Sequence, residues 1–268
     1  MNQEHKTLAL EGSKKEHQKS VKLFWLSGIF GKTHHSTGTM GRIHVVAVGL
    51  ASLAPTLVTL SSMGLSGGLP GDIGQFTEIF VRARRSIPPT IGNLKNLYWL
   101  DLSQNNLTGS LPVSNGTTPG LDIHFGDNQL DGDIPLRLFN SKMTLVHLLF
   151  QNNRLTGPIP STLGLVKSLE VVRLDRNSLS GNVPSNFNNL TNVMELRLSY
   201  NQLNGPVPNL TGMNSLNYVD LSNNGFGQTK IPSWFTALQS LTTLKMRYTN
   251  LAGELSAALF SLLYLQNV

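Results

Sequence analysis

Leu100-Asp-Leu102-Ser-Gln-Asn105-Asn-Leu107-Thr-Gly109 is the stretch that decides the fold. Its spacing, L-x-L-x-x-N-x-L-x-G, returns as Ile123, Phe125, Asn128, Leu130, Gly132, then as Leu148, Phe150, Asn153, Leu155, Gly157, and as Val172, Leu174, Asn177, Leu179, Gly181. It continues as Leu196, Leu198, Asn201, Leu203, Gly205 and as Val219, Leu221, Asn224, Phe226. A proline after an aliphatic residue marks the same period at Pro70, Pro88, Pro112, Pro135, Pro160, Pro184, Pro208 and Pro232, with successive gaps of 18, 24, 23, 25, 24, 24 and 24 residues. Ser256 holds the equivalent place 24 residues further on.

A period of about 24 lies within the 20 to 29 residues of leucine-rich repeats. The two aliphatics of L-x-L point to one face of a short strand, so stacked units build a parallel sheet with a continuous apolar core behind it. The Asn at each turn, Asn105, Asn128, Asn153, Asn177, Asn201 and Asn224, is expected to face inward. There its amide can satisfy backbone groups that have left the strand ladder. Gly permits the tight turn that follows, and Pro suits an outer segment with no donor to spare. No unit buries its apolar face alone, so only the stack is stable. The expected fold class is therefore an α/β-type repeat solenoid: short parallel strands on the concave face, 3-10 turns and irregular segments outside. Residues 57–268 hold about nine units and part of a tenth, behind a basic leader and divergent cap at 1–56 that is expected to be poorly ordered in part.

The outer segment, as in Gly157-Pro-Ile159-Pro160-Ser-Thr-Leu163-Gly-Leu165, resembles the plant-specific leucine-rich repeat. Three blocks are similar to the ectodomain of a group of plant receptor-like Ser/Thr kinases that includes the hydrogen-peroxide-sensing receptor. They are PSTLGLVKSLEVVRLDRNSLSGNVPSNFNNLTNVMELRLSYNQL (Pro160 to Leu203), NYVDLSNNGF (Asn217 to Phe226) and TPGLDIHFGDNQLDGDIP (Thr118 to Pro135). The resemblance implies repeats outside the cell, followed by one membrane helix and an intracellular kinase. No H-R-D, D-F-G or Gly-rich kinase loop occurs in this chain, and Val268 falls midway through a unit, so the expectation is a fragment or truncated product with an open apolar edge. Family ectodomains carry cysteines in their caps; this chain has none, which excludes peroxide sensing by its own cysteine oxidation, disulfides and thiolate metal sites. The 18-residue gap containing Phe80-Val-Arg-Ala-Arg-Arg85 lacks a strand and reads as a deletion within the repeats.

Charged residues are only 13% of the chain against 40% hydrophobic, which excludes a charge-rich disordered chain. The formal charge of +6 is concentrated at the front: residues 1–42 hold seven basic residues against three acids, and the remaining 226 carry a net of +2. A basic tail with no regular array for phosphates reads as solvated rather than as a nucleic-acid arm. The leader has the order of a secretory signal, but its charged region is long, its apolar run Leu23 to Phe30 is short, and no small-x-small site follows. Ile43 to Leu60 approaches membrane-span length but is interrupted by His44, Ser52, Pro55, Thr56 and Thr59 and reads as a cap segment. Gly28-Ile-Phe-Gly31-Lys32-Thr33 imitates the end of a phosphate loop with Leu26 where the pattern needs Gly, and His34 and His35 lack a third ligand. No cofactor, metal or nucleic acid is expected.

The position between the strand aliphatics runs Asp101, His124, Leu149, Arg173, Arg197, Asp220, Lys245, and the position before the Asn runs Gln104, Asp127, Asn152, Arg176, Tyr200, Asn223, Tyr248. Charge shifts from acidic in front to basic and aromatic behind. Arg173, Arg176, Arg197, Tyr200, Lys245, Arg247 and Tyr248 form a candidate patch for a carboxylate or sulfated peptide, with Asp175 and Glu195 neutralising part of it. Tyr98 and Trp99 are expected to pack locally. Sequons at Asn106, Asn115, Asn189 and Asn209 favour a secretory route. The reading is a non-catalytic recognition module at the cell surface or outside it, with a peptide or protein ligand, a co-receptor ectodomain as a further partner, and membrane attachment only through parts beyond Val268. The competing readings are kinase activity inherited from the full-length family, a cytosolic scaffold, and a non-functional product.

Overall fold

The computed structural model of the chain describes residues 44–46, 56–59, 61–62, 66–67, 87, 97–112, 122–227, 232–252, 254 and 257–268. The expectations drawn on the leader up to residue 43, its phosphate-loop imitation, His34 and His35, the Phe80 to Arg85 run and Asn115 lie outside the described residues. In chain order the strands are β1 (His44–Val46), β2 (Thr56–Thr59), β3 (Ser66–Gly67), β4 (Leu97–Asp101), β5 (Asn106–Ser110), β6 (Asp122–His124), β7 (Gln129–Asp133), β8 (His147–Leu149), β9 (Arg154–Thr156), β10 (Val171–Arg173), β11 (Ser180–Gly181), β12 (Glu195–Arg197), β13 (Gln202–Leu203), β14 (Tyr218–Asp220) and β15 (Thr243–Lys245).

Nine of these strands form one sheet in the order β1-β2-β4-β6-β8-β10-β12-β14-β15, parallel throughout except for the antiparallel pair β1 and β2. The pairing follows the repeat: Ile123, Leu148, Val172, Leu196, Val219 and Leu244 are successive register partners, and all are buried. Leu102, Phe125, Phe150, Leu174, Leu198 and Leu221 form a second buried row two residues on, in which Phe125 and Phe150 stack with centroids 5.6 Å apart. Each such side chain removed from water contributes about 2 kcal/mol, and each is covered by its neighbours in the adjacent units.

The helical part of the pattern is 3-10 wherever it is described: Leu136–Leu138, Ser161–Leu165, Ser185–Asn189, Ser233–Ala237 and Ala257–Ser261. The first four follow a proline in extended conformation, which starts a short turn at no cost in donors. These outer turns are bulkier than a strand, so the sheet lies on the inner, concave side. Phe260, Leu263 and Tyr264, in and after the last turn, are exposed.

Two features go beyond the sequence reading. The residue before each ladder Asn is left-handed, as is Tyr248 before Thr249 at the equivalent place: Gln104, Asp127, Asn152, Arg176, Tyr200, Asn223 and Tyr248 have φ between 53° and 58°. A left-handed non-glycine residue costs about 1–2 kcal/mol. The turn is held because its N–H continues the parallel ladder, as in Arg176 N–H to Ser199 O (2.9 Å) and Tyr200 N–H to Ser222 O (2.9 Å). The N-x-L-x-G stretches also pair with one another on the flank, as the parallel sheet β3-β5-β7-β9 and the pair β11-β13. β5 and β7 have five residues and β9 three, and beyond β9 Pro158 forms an isolated parallel bridge with Ser180.

Candidate functional site

Each ladder Asn ties its own turn to the preceding unit. Asn177 Nδ2 donates to Leu174 O (3.1 Å) and Asp175 O (3.3 Å) of its own unit and to Phe150 O (3.0 Å) of the unit before, while its Oδ1 accepts Leu155 N–H (3.0 Å). Asn128, Asn153, Asn201 and Asn224 repeat this set, accepting the N–H of Leu107, Leu130, Leu179 and Leu203 respectively. Asn105, at the front, donates to Leu102 O and Ser103 O (both 3.0 Å). The ladder holds every strand at one height, so the concave side chains fall in straight rows.

The exposed row between the aliphatics places Arg173 on β10 opposite Arg197 on β12, Arg197 opposite Asp220 on β14, and Asp220 opposite Lys245 on β15. The row two residues earlier brings Glu195 and Tyr218 to the same face. Glu195 Oε1 accepts both Arg173 Nε and Arg197 Nε (2.6 Å each), and Glu195 Oε2 accepts Arg173 Nη2 (3.3 Å). Burial alone would raise the Glu195 carboxyl, but the hydrogen bond from Arg173 and the charges of Arg173 and Arg197 hold it below the usual range. The same hydrogen bond raises Arg173 above the usual guanidinium value against the opposing effect of burial. One carboxylate thus holds two guanidinium groups, leaving the trio a net charge of +1.

The Tyr218 ring carries Arg197 Cζ 4.4 Å and Lys245 Nζ 5.4 Å from its centroid. Arg176 lies 4.7 Å over the Tyr200 ring, a cation–π pair between left-handed positions of neighbouring units. Asp175 is pushed above the ordinary carboxylate range by burial, against the pull of its own backbone N–H and of Arg197, Arg173 and Arg176.

Of the seven residues expected to form the anion patch, Arg173 and Arg197 meet through Glu195, Arg176 meets Tyr200, and Lys245 reaches Arg197 through Tyr218. Arg247 and Tyr248 stand exposed in the turn after β15, Tyr248 at 83%. The patch is therefore divided, with Asp220 inside it, and its more accessible cations are Arg176, Lys245 and Arg247. Tyr218, two places before Asp220, shares that face by the period-2 rule, although neither row read from the sequence includes it. At the front of the face, Trp99 meets His124 edge to face at 4.4 Å, and His124 lies 6.0 Å from His147.

The sequon residues Asn106, Asn189 and Asn209 are exposed, Asn106 on the flank strand β5 and the other two on the outer side. Asn209 Oδ1 accepts Thr211 N–H (3.0 Å), and Gln129 Nε2 donates to Asn106 Oδ1. Among the described residues no group of three His, Cys, Asp or Glu is placed to hold a metal ion, and no helix is long and apolar enough to cross a membrane.

The Leucine Rich Repeat family model matches residues 96–116, 144–165, 168–190 and 215–238. A probable leucine-rich repeat receptor-like protein kinase of Arabidopsis thaliana is 54% identical over 39 residues, 12% of this chain and 4% of that protein. Among solved structures, the chain superposes on the PEPR1–AtPEP1 complex with a TM-score of 0.70 and 30% identity, over 79% of this chain and 30% of that one. It also superposes on the plant peptide hormone receptor RGFR1 in complex with RGF2, with a TM-score of 0.68 and 28% identity, over 78% of this chain and 35% of that one. The chain thus spans about a third of the length of these structures.

Proposed function

We propose, given that this chain is a leucine-rich-repeat solenoid similar to plant receptor ectodomains, that it is a non-catalytic recognition module whose concave face takes the anionic end of a peptide. The observation that carries the reading is the cation cluster on β10, β12 and β15 and the turns after β10 and β15, in which Arg176, Lys245 and Arg247 are exposed while Arg173 and Arg197 share Glu195. A rigid row of strands supplies the cations already placed, so little ordering cost falls on the protein side. Guanidinium and ammonium donors suit a carboxylate or a sulfate equally in charge, and the ligand is read through both. Similarity to receptor ectodomains and the exposed sequons Asn106, Asn189 and Asn209 support a cell-surface or extracellular location with glycosylation at those residues. A second ectodomain as co-receptor is part of the same reading. The narrower group that includes the hydrogen-peroxide-sensing receptor rests on the blocks Thr118 to Pro135, Pro160 to Leu203 and Asn217 to Phe226.

The test is calorimetry with the full chain and the peptide Ac-(Ser-Thr)3-Asp-OH, its C-terminal amide, and a form ending in sulfotyrosine amide. The free acid or the sulfated form binds, the unsulfated Asp amide binds at least tenfold more weakly, and Lys245→Gln/Arg247→Gln abolishes the difference. Equal binding of all three peptides, or an unchanged difference in the variant, overturns the reading.

A further inference from the structure

The concave face is polarised along the solenoid axis. Among the described residues, the three units opening on β4, β6 and β8 place Asp101 and Asp127 on it and no Lys or Arg, whereas the later units hold all five cations named above. The Trp99, His124 and His147 rings form a row across those same three strands. Asp101 Oδ1 accepts the Ser103 N–H (2.9 Å) and hydroxyl (2.6 Å), and Asp127 Oδ1 accepts Asn152 Nδ2 (2.8 Å), so both carboxylates are held in place beside the rings. The front of the face thus offers carboxylates and the Trp99 ring, and the rear offers donors.

We propose, resting on the reading above, that the front of the face is a second subsite, which takes a guanidinium or ammonium group of the same ligand. The Trp99 face attracts a cation, and the carboxylates of Asp101 and Asp127 supply the opposite charge. From β6 to β15 there are five strand steps, about 24 Å at ~4.8 Å each, and an extended chain covers this in about seven residues at ~3.4 Å. The ligand therefore carries a basic residue about seven positions from its anionic end.

The experiment uses the full chain and peptides Ac-Arg-(spacer)-Asp-OH with Ser/Thr spacers of two, six or ten residues, each paired with a form in which Ser replaces Arg. The six-residue spacer binds tightest, and its Arg form exceeds its Ser form by about tenfold. Asp101→Asn/Asp127→Asn equalises the two forms while the acid end still binds; Asn also suits the left-handed turn at 127, so the variant keeps its fold. A separate arm needs no acid end: Ac-Arg-(Ser-Thr)3-NH2 shifts the Trp99 indole NMR signal, assigned by Trp99→Phe. If that signal moves and no acid-ended peptide binds more tightly than its amide, the rear anion site fails and the front subsite stands. Equal affinity of Arg and Ser forms for the parent chain, or a Trp99 signal that does not respond, overturns the front subsite.

Discussion

Replacing Asn177 removes a bridge between two units, and its cost can be worked from the bonds it makes. The two hydrogens of Nδ2 are shared over three carbonyls at 3.0 to 3.3 Å, and Oδ1 accepts the Leu155 N–H at 3.0 Å. That amounts to about three hydrogen bonds at a net ~1 kcal/mol each, and leaving the Leu155 N–H without a partner adds about 1 kcal/mol or more. Asn177→Ala should therefore destabilise by about 4 kcal/mol. Asn177→Asp should cost more than Ala although it is nearly isosteric, because a carboxylate oxygen then faces the carbonyls of Phe150 and Leu174. Urea unfolding of the chain, followed both by circular dichroism and by proteolysis between units, gives the two values and shows whether the loss is local to the neighbouring repeats, as expected of a stack coupled only to nearest neighbours. Variants within about 1 kcal/mol of the parent, or an Asp form as stable as the Ala form, would refute the bridging role.

Tyr248→Asn relieves a left-handed residue whose side chain is 83% exposed, and should raise stability by about 0.5–1 kcal/mol in thermal melts while weakening binding of acid-ended peptides. Glu195→Gln releases Arg173 and Arg197, so binding of the sulfated peptide should tighten by calorimetry as the charge of the trio rises from +1 to +2. Asp175 has a folded-state pKa above its unfolded value, so it favours the fold most fully below the unfolded value, and that support is lost as pH rises through the folded one. Glu195 has the opposite sign: its support is present above its unfolded value and is lost as pH falls through the depressed folded one. Melting temperatures against pH should accordingly show Asp175→Asn gaining on the parent as pH rises above the ordinary carboxylate range, and a gain on acidification would contradict the burial argument. Gly212→Ala places a Cβ against the Asn188 backbone carbonyl, which cannot turn aside as a side-chain end can, and should cost about 1–3 kcal/mol by urea unfolding.

The buried rows were legible because L-x-L fixes which side of a strand is apolar, and Leu148, Val172, Leu196 and Val219 pair in the expected register. The two concave rows drawn from the period also lie on one face, so the positions of Arg173, Arg197 and Lys245 relative to one another were readable. Their availability was not. Glu195 was counted as one neutralising charge, but its two bonds with Arg173 and Arg197 depend on side-chain directions across adjacent strands. Tyr218, which joins Arg197 to Lys245, stands two places before Asp220, at a strand position that neither of those rows includes. The flank sheet was hidden because N-x-L-x-G reads as a turn when only one unit is considered; its ladder exists only between units.

The sequence by itself determined the period, the buried positions and the inward turn of each Asn. These are properties of a single unit repeated with fixed phase, and a stack of such units has one way to bury its apolar face. Tertiary structure alone decided that Arg176, Tyr200 and Tyr248 occupy left-handed turns, that Glu195 pins two guanidinium groups, and that Gln151 and Asp175 keep buried acceptors without donors. Each of these arises between residues one repeat apart, where side chains from neighbouring strands about 4.8 Å away compete for the same partners. Spacing along the chain places the competitors, and only their packing selects the pair that forms.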